Sequence, residues 1–202
     1  METDFREDPG VRAMLAWKAG DERAFERLVV EYSPQVYALL TRFLGLRPNR
    51  EDLVQEVFLR VVRARERYEP TARFSTWLFR IVYHLSINET QRAGARERGA
   101  GLAEPDERAD ALGEIGDPRE ERPEDGLERD AVVRAVRAAI ARLPEQQRMA
   151  LILAKYEEMP YADVAGVLGS SEKAVKSLVH RARETLRTSL APFLQGLQGE
   201  AS

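Results

Sequence analysis

The sequence predicts an all-α fold: two small helical domains joined by a flexible linker, the second containing a helix-turn-helix. Three observations predict it. Apolar residues recur at three- and four-residue steps through both ends of the chain, and no stretch shows the strict alternation of a strand. Residues 94–130 have neither period; glycine, proline, alanine and charge dominate there, too little apolar surface to offset the entropy of ordering. Near the C-terminus, two short amphipathic runs are separated only by Gly169, Ser170 and Ser171. The domains are therefore expected at 1–93 and 131–202, with 94–130 as an acidic linker.

Taken in order, a short helix is expected over 11–19, with Leu15 and Trp17 as its larger apolar groups, closed by Gly20. Asp21 can cap the next helix, whose pattern runs through Phe25, Leu28, Val29 and Tyr32. Pro34 marks a break or kink, after which Val36, Leu39, Leu40 and Phe43 resume the stripe. Gly45, Pro48 and Asn49 form a loop, and Asn49 is placed to cap a helix with Leu53, Val57, Phe58, Val61 and Val62 inside. A fourth helix is expected to be capped by Ser75. Trp77, Leu78, Ile81, Val82 and Leu85 face inward, and Arg80, Tyr83, His84, Ile87, Asn88 and Gln91 lie on a mixed outer face. Helix resumes near Leu127 through Val132, Val133, Val136 and Ile140, and again from Glu145 through Met149, Leu151, Ile152 and Leu153.

Composition excludes whole classes of function. The chain has no cysteine, which removes disulfides and cysteine-zinc sites and suits a reducing cytoplasm. No apolar run approaches a membrane span, and the acidic start METDFREDPG is unlike a signal peptide, so a soluble cytoplasmic protein is expected. No phosphate-binding glycine loop, metal-ligand cluster or nucleophile-base pair is present, which argues against an enzyme and against any cofactor or metal. The net charge of -3 conceals an uneven distribution. Residues 94–130 hold thirteen acidic and six basic groups, which leaves the flanks with a surplus of four positive charges.

The stretch YADVAGVLGSSEKAVKSLVHRARETLR, residues 161–187, carries the clearest chemistry. Val164, Ala165 and Leu168 make one apolar stripe; Gly169 suits a left-handed helix end, and Ser170 or Ser171 can cap the following helix. That helix turns Val175, Leu178, Val179, Ala182 and Leu186 inward and Lys173, Lys176, Ser177, His180, Arg181 and Glu184 outward. A tight turn before a helix with a basic, hydrogen-bonding outer face is a helix-turn-helix that fits the major groove of DNA.

Three stretches in order, DLVQEVFLRVVRA (52–64), FSTWLFRIVYHLSIN (74–88) and LPEQQRMALIL with the 161–186 segment, resemble bacterial sigma factors of the extracytoplasmic-function group. The resemblance runs from about residue 20 to 190, omitting the linker. It implies a transcription initiation factor whose partners are core RNA polymerase, promoter DNA and an anti-sigma factor. By match, Asp52, Gln55 and Glu56 would contact polymerase, with Leu53 and Phe58 holding their helix in place. Arg80, His84 and Asn88 would serve the opened minus-ten element; relatives commonly carry Asn at the position of His84, and imidazole offers fewer donors and acceptors than an amide. Lys176, Ser177, His180 and Arg181 would face the duplex minus-thirty-five element, with Lys173 and Arg183 on phosphates; His180 stands where relatives usually carry an aromatic or basic residue. The linker resembles the family's in length and composition. A free-standing helix-turn-helix regulator is the alternative, but it would leave DLVQEVF and the aromatic helix without a purpose.

Overall fold

In the computed structural model, which describes residues 5–45, 49–99 and 123–199, the regular elements are all helical. After a 3-10 turn at Phe5–Glu7 come α1 (Pro9–Lys18), α2 (Glu22–Leu44), α3 (Arg50–Ala64) and α4 (Phe74–Gly99). Then follow α5 (Pro123–Ala141), α6 (Glu145–Lys155), α7 (Tyr161–Leu168) and α8 (Glu172–Gly199). The first four pack as one bundle and the last four as another. Helices α4 and α5 reach into both ends of the segment expected to be linker, because extending a formed helix costs far less than nucleating one. The rest of that segment, 100–122, lies outside the described residues.

The N-terminal bundle is built around aromatic rings. Trp17 stacks on Phe25 at 4.3 Å between centroids, and Tyr32 and Tyr68 approach Phe74 edge-on. Burial pushes the Tyr32 hydroxyl up to about 12 and raises that of Tyr68 as well. Gly10 makes the crowding possible: a β-carbon there would stand 2.7 Å from Phe74 Cβ. Asp8 supplies a cap that periodicity does not reveal. Its Oδ1 accepts from the Val11 amide at 3.0 Å and from the Phe74 amide at 3.5 Å, joining the first turns of α1 and α4.

Several expectations are corrected here. Helix α1 begins two residues earlier than expected, at Pro9, and buries Met14 completely. Helix α2 continues through Pro34; the carbonyl that loses its donor is that of Val30, which is 77% exposed and within reach of water. Asn49 occupies the cap position of α3 without a side-chain bond, and Val62 is 41% exposed rather than core. Ser75 lies inside α4, whose first amide is served by Asp8 instead. Tyr83, expected on the outer face of α4, is buried. Helix α5 starts at Pro123, before Leu127, and α8 runs through Pro192 to Gly199.

The two bundles pack together, with α7 against α4 and α6 against α2, and their apolar cores are continuous. Arg42 and Glu157 pair across the boundary at 2.8 Å, with the Glu157 side chain 11% exposed. Burial raises the Glu157 carboxyl above its ordinary value of 4.5, against the lowering pull of Arg42. A raised folded-state value means that Glu157 contributes most to stability below the unfolded value and loses that contribution as pH rises through the folded one. Unfolding followed at pH 4 to 7 should therefore show the wild type losing stability relative to Glu157→Gln as pH rises, then running parallel to it. A constant difference across the range would mean that the carboxyl is not shifted.

Candidate nucleic-acid and polymerase interfaces

The helix-turn-helix is set by local chemistry. Gly169 ends α7 in the left-handed region, φ 61° and ψ 40°, and both its amide and that of Ser170 donate to the Ala165 carbonyl. Of the two serines, Ser171 is the cap: its Oγ accepts from the Ala174 amide at 3.2 Å. Val164, Ala165 and Val167 of α7 are buried, with Leu168 partly covered. Val175, Leu178, Val179 and Ala182 of α8 close on them, and Leu186 is half-buried.

The opposite face of α8 is free of the core. Lys173, Lys176, Ser177, His180, Arg181 and Arg183 are all exposed, and all but Arg183 line one solvent-open depression with Ser171 and Ala174. Ser177 Oγ donates to the Lys173 carbonyl and Arg181 Nε to the Ser177 carbonyl, which lays the guanidinium along the helix. Lys176 meets Glu172 at 3.5 Å with both side chains more than half exposed. Such a pair contributes little and is readily exchanged for another anion.

On α3, Leu53 and Phe58 are buried and hold the helix, while Asp52 and Gln55 are exposed. Glu56 accepts from Arg60 Nε at 2.9 Å and lies 3.6 Å from Arg63 Nη1. The Arg60 bond holds its carboxyl below the usual glutamate value. Sequence reasoning missed the apolar continuation of this face: Leu59 and Val62 follow Asp52 and Gln55 at helical spacing and are 49% and 41% exposed. It also missed the cleft beside Gln55, lined by Ser33, Pro34 and Tyr37 of α2 together with Glu51 and Val54. The recurrence of Leu59 and Val62 seven and ten residues after Asp52, on the face of Asp52 and Gln55, is the sequence signal for that apolar continuation.

On α4, Arg80, His84 and Asn88 are exposed on one face at four-residue steps, as expected. Arg80 is not free, however. Its guanidinium donates to the Gly166 carbonyl of α7 from Nε at 3.0 Å and from Nη2 at 2.6 Å. Trp77 is partly buried against Tyr68 and Phe74 and belongs to the core. Among the described residues no cluster of His, Asp and Glu could hold a metal ion, and no helix is long and apolar enough to cross a membrane.

Comparison with known proteins agrees with this arrangement. Residues 28–96 match the family model Sigma-70 region 2, and residues 133–186 match Sigma-70, region 4. The chain is 33% identical over 180 residues to the RNA polymerase sigma-H factor of Pseudomonas aeruginosa, covering 87% of this chain and 91% of that one. It is 31% identical over 182 residues to the ECF RNA polymerase sigma-E factor of Escherichia coli, with 87% and 91% covered. In fold it resembles CnrH, solved with the cytosolic domain of CnrY, at TM-score 0.64 and 24% identity over 92% of this chain and 99% of that one. It also resembles the sigma factor RpoE of Bartonella quintana, solved with the anti-sigma factor NepR, at TM-score 0.63 and 20% identity over 83% and 96%. Regions 2 and 4 in this order define a sigma-70-type sigma factor. The chain belongs to the extracytoplasmic-function group of that family, promoter-specific initiation factors that bind RNA polymerase.

The geometry of the turn generates its own test. Ser171→Ala should cost roughly 1 kcal/mol of stability by removing the cap. Ser170→Ala, whose hydroxyl reaches only the Ser171 carbonyl at 3.4 Å, should stay within about 0.5 kcal/mol. Urea unfolding of both variants decides it; equal losses would remove Ser171 from the capping role.

Proposed function

We propose that this sigma factor reads its promoter at two places, with α8 lying in the major groove of the minus-thirty-five element and α4 attending the opened minus-ten element. The observation that carries the reading is the outer face of α8, where five hydrogen-bonding or cationic side chains surround one open depression while the opposite face forms the core. Residues 1–93 dock and open, 131–202 read duplex DNA, and 94–130 connect them. Asp52, Gln55 and Glu56 meet a basic surface of polymerase, where charge complementarity mainly sets encounter and register. Arg80, His84 and Asn88 serve the unstacked bases, and the histidine in the middle of that face shifts which base is preferred. The role is one of binding rather than catalysis, requires no cofactor or metal, and is exercised in the cytoplasm, where promoter and polymerase meet. The structural relative RpoE is solved with an anti-sigma factor, and an anti-sigma protein is accordingly the third proposed partner.

Run-off transcription with core polymerase on genomic promoter fragments tests the whole reading. Asp52→Lys with Glu56→Lys should weaken core binding in a titration; Asp52→Lys by itself should shift thermal unfolding by no more than about 0.5 kcal/mol, whereas Glu56→Lys also loses the pair with Arg60 and sets like charge beside Arg63. Unchanged affinity for core would sink the docking assignment.

The DNA face separates into two kinds of contact. Lys173→Ala should weaken use of all promoters alike and reduce the salt slope by roughly one unit, the mark of a lost phosphate contact. Arg181→Ala should cost about 1–3 kcal/mol at one base pair and relax the preference there. If neither variant alters the response to changes in the minus-thirty-five element, the outer face of α8 is not the DNA face.

A further inference from the structure

The chain meets nearly all of its need for positive charge with arginine. Of its 31 lysine and arginine residues only Lys18, Lys155, Lys173 and Lys176 are lysine. Two of these four stand one turn apart on the outer face of α8, both exposed. The difference is chemical. A guanidinium keeps its charge, whereas a lysine amine is a nucleophile whose charge an acyl group removes. A face that had only to hold phosphates could be built from arginine, as the chain does elsewhere.

The four amines have different surroundings. Lys18 is half-buried and donates to the Tyr68 carbonyl at 3.1 Å. Lys155 is exposed, with Glu157 and Glu158 two and three residues on. Lys173 has no acid partner among the described residues, and it shares its open depression with Lys176, His180 and Arg181. The acids nearest that face are engaged: Glu172 lies 3.5 Å from Lys176, and Glu184 lies 2.8 Å from Arg187. A small dianion is therefore drawn to the amines of α8 and not to that of Lys155.

We propose that Lys173 and Lys176 form an acylation site fed by an acyl phosphate, and that acylation withdraws the outer face of α8 from DNA. The Arg181 guanidinium and one ammonium hold the phosphate group, and the neutral amine of the other lysine attacks the acyl carbon. A nitrogen–carbon bond forms and the bond from the acyl carbon to the phosphate oxygen breaks. Inorganic phosphate leaves with that electron pair, and the surplus proton on nitrogen passes to water. Each amide formed removes one positive charge from the face and with it one phosphate contact. The loss of promoter reading rests on the assignment of α8 to the minus-thirty-five element; the acylation does not.

Acetyl phosphate is the probe. In the full-length chain, followed by digestion and mass spectrometry, it should acetylate Lys173 and Lys176 about tenfold faster than Lys155 or Lys18. Salt at about 0.5 M should shrink that advantage, and Arg181→Ala should slow both lysines towards the rate of Lys155. S-acetylcysteamine, an acyl donor without phosphate, should label Lys155 as fast as Lys173. Equal rates at Lys155 and Lys173 with acetyl phosphate, or an undiminished preference with the thioester, would overturn the site.

In a second arm the reagent is removed and run-off transcription with core polymerase is measured before and after treatment. The treated chain should lose about tenfold at promoters that carry the minus-thirty-five element. A chain with Lys173→Arg and Lys176→Arg should keep whatever activity it had before treatment. An equal loss in that variant would assign the effect to other amines and overturn the switch. Selective acetylation with unchanged transcription would also overturn the switch and count against α8 as the DNA face, while the acylation site would stand.

Discussion

Phe74 sits at the junction on which the rest of the structure depends. Its ring is enclosed by Tyr32, Tyr68 and Trp77, its amide points to Asp8, and its β-carbon occupies space that any side chain at residue 10 would need. Fixing that residue fixes the origin and rotation of α4. Every later position on the helix then follows at 100° per residue: Leu78, Val82 and Leu85 enter the core, and Thr76 and Arg80 turn toward α7. Because aromatic pairs hold their geometry through edge and face preferences as well as area, the junction sets an angle and not merely a contact. The path from a crowded glycine to the orientation of the proposed DNA-facing side chains therefore runs through packing and the Asp8 bond.

What was legible in the sequence is what short-range chemistry encodes. Asp21 and Ser171 cap the helices they precede, Gly169 turns left-handed, and both faces of α8 are where a 3.6-residue period puts them. The expected region boundaries came from the change in composition over 94–130, and the family motifs added what each half would bind. What escaped depends on partners distant in the chain. Asp8 caps α4 across 66 residues, and Arg80 finds its acceptor across 86. Tyr83 looked external because the fourth helix was read as having one buried face, whereas it has two, one toward its own bundle and one toward the other. A helix covered on two sides loses the clean polar-apolar division on which such readings rely. Asn49 shows the reverse error: a residue type common at caps occupies the position but makes no cap bond.

Electrostatics divides the molecule more finely than its net charge. Acidic and amide groups begin the outer face of α3, and cationic groups crowd the outer face of α8, so the proposed polymerase and DNA surfaces carry opposite character on one small chain. The pairs that occupy these faces each lie within one helix, Glu56 with Arg60 about a third exposed and Lys176 with Glu172 more than half. Neither pair holds its face strongly, because a better-placed phosphate or basic side chain can displace either partner. On α3 the charge gives way to Leu59 and Val62, so a partner that follows the helix meets polar groups first and apolar surface after.

Arginine is suited to joining two helices through a backbone oxygen. A guanidinium keeps its charge in any plausible environment and presents its donors as a planar fork, so it can leave a carbonyl for a phosphate or a base edge without a change of protonation. Arg80 illustrates the point: two donors converge on one carbonyl oxygen, without the strength of a bidentate carboxylate pair. The Gly166 carbonyl is one of the last four of α7, and the Ser170 amide that would serve it in a longer helix donates to Ala165 instead, so the oxygen is left for Arg80, and glycine leaves it most open to approach.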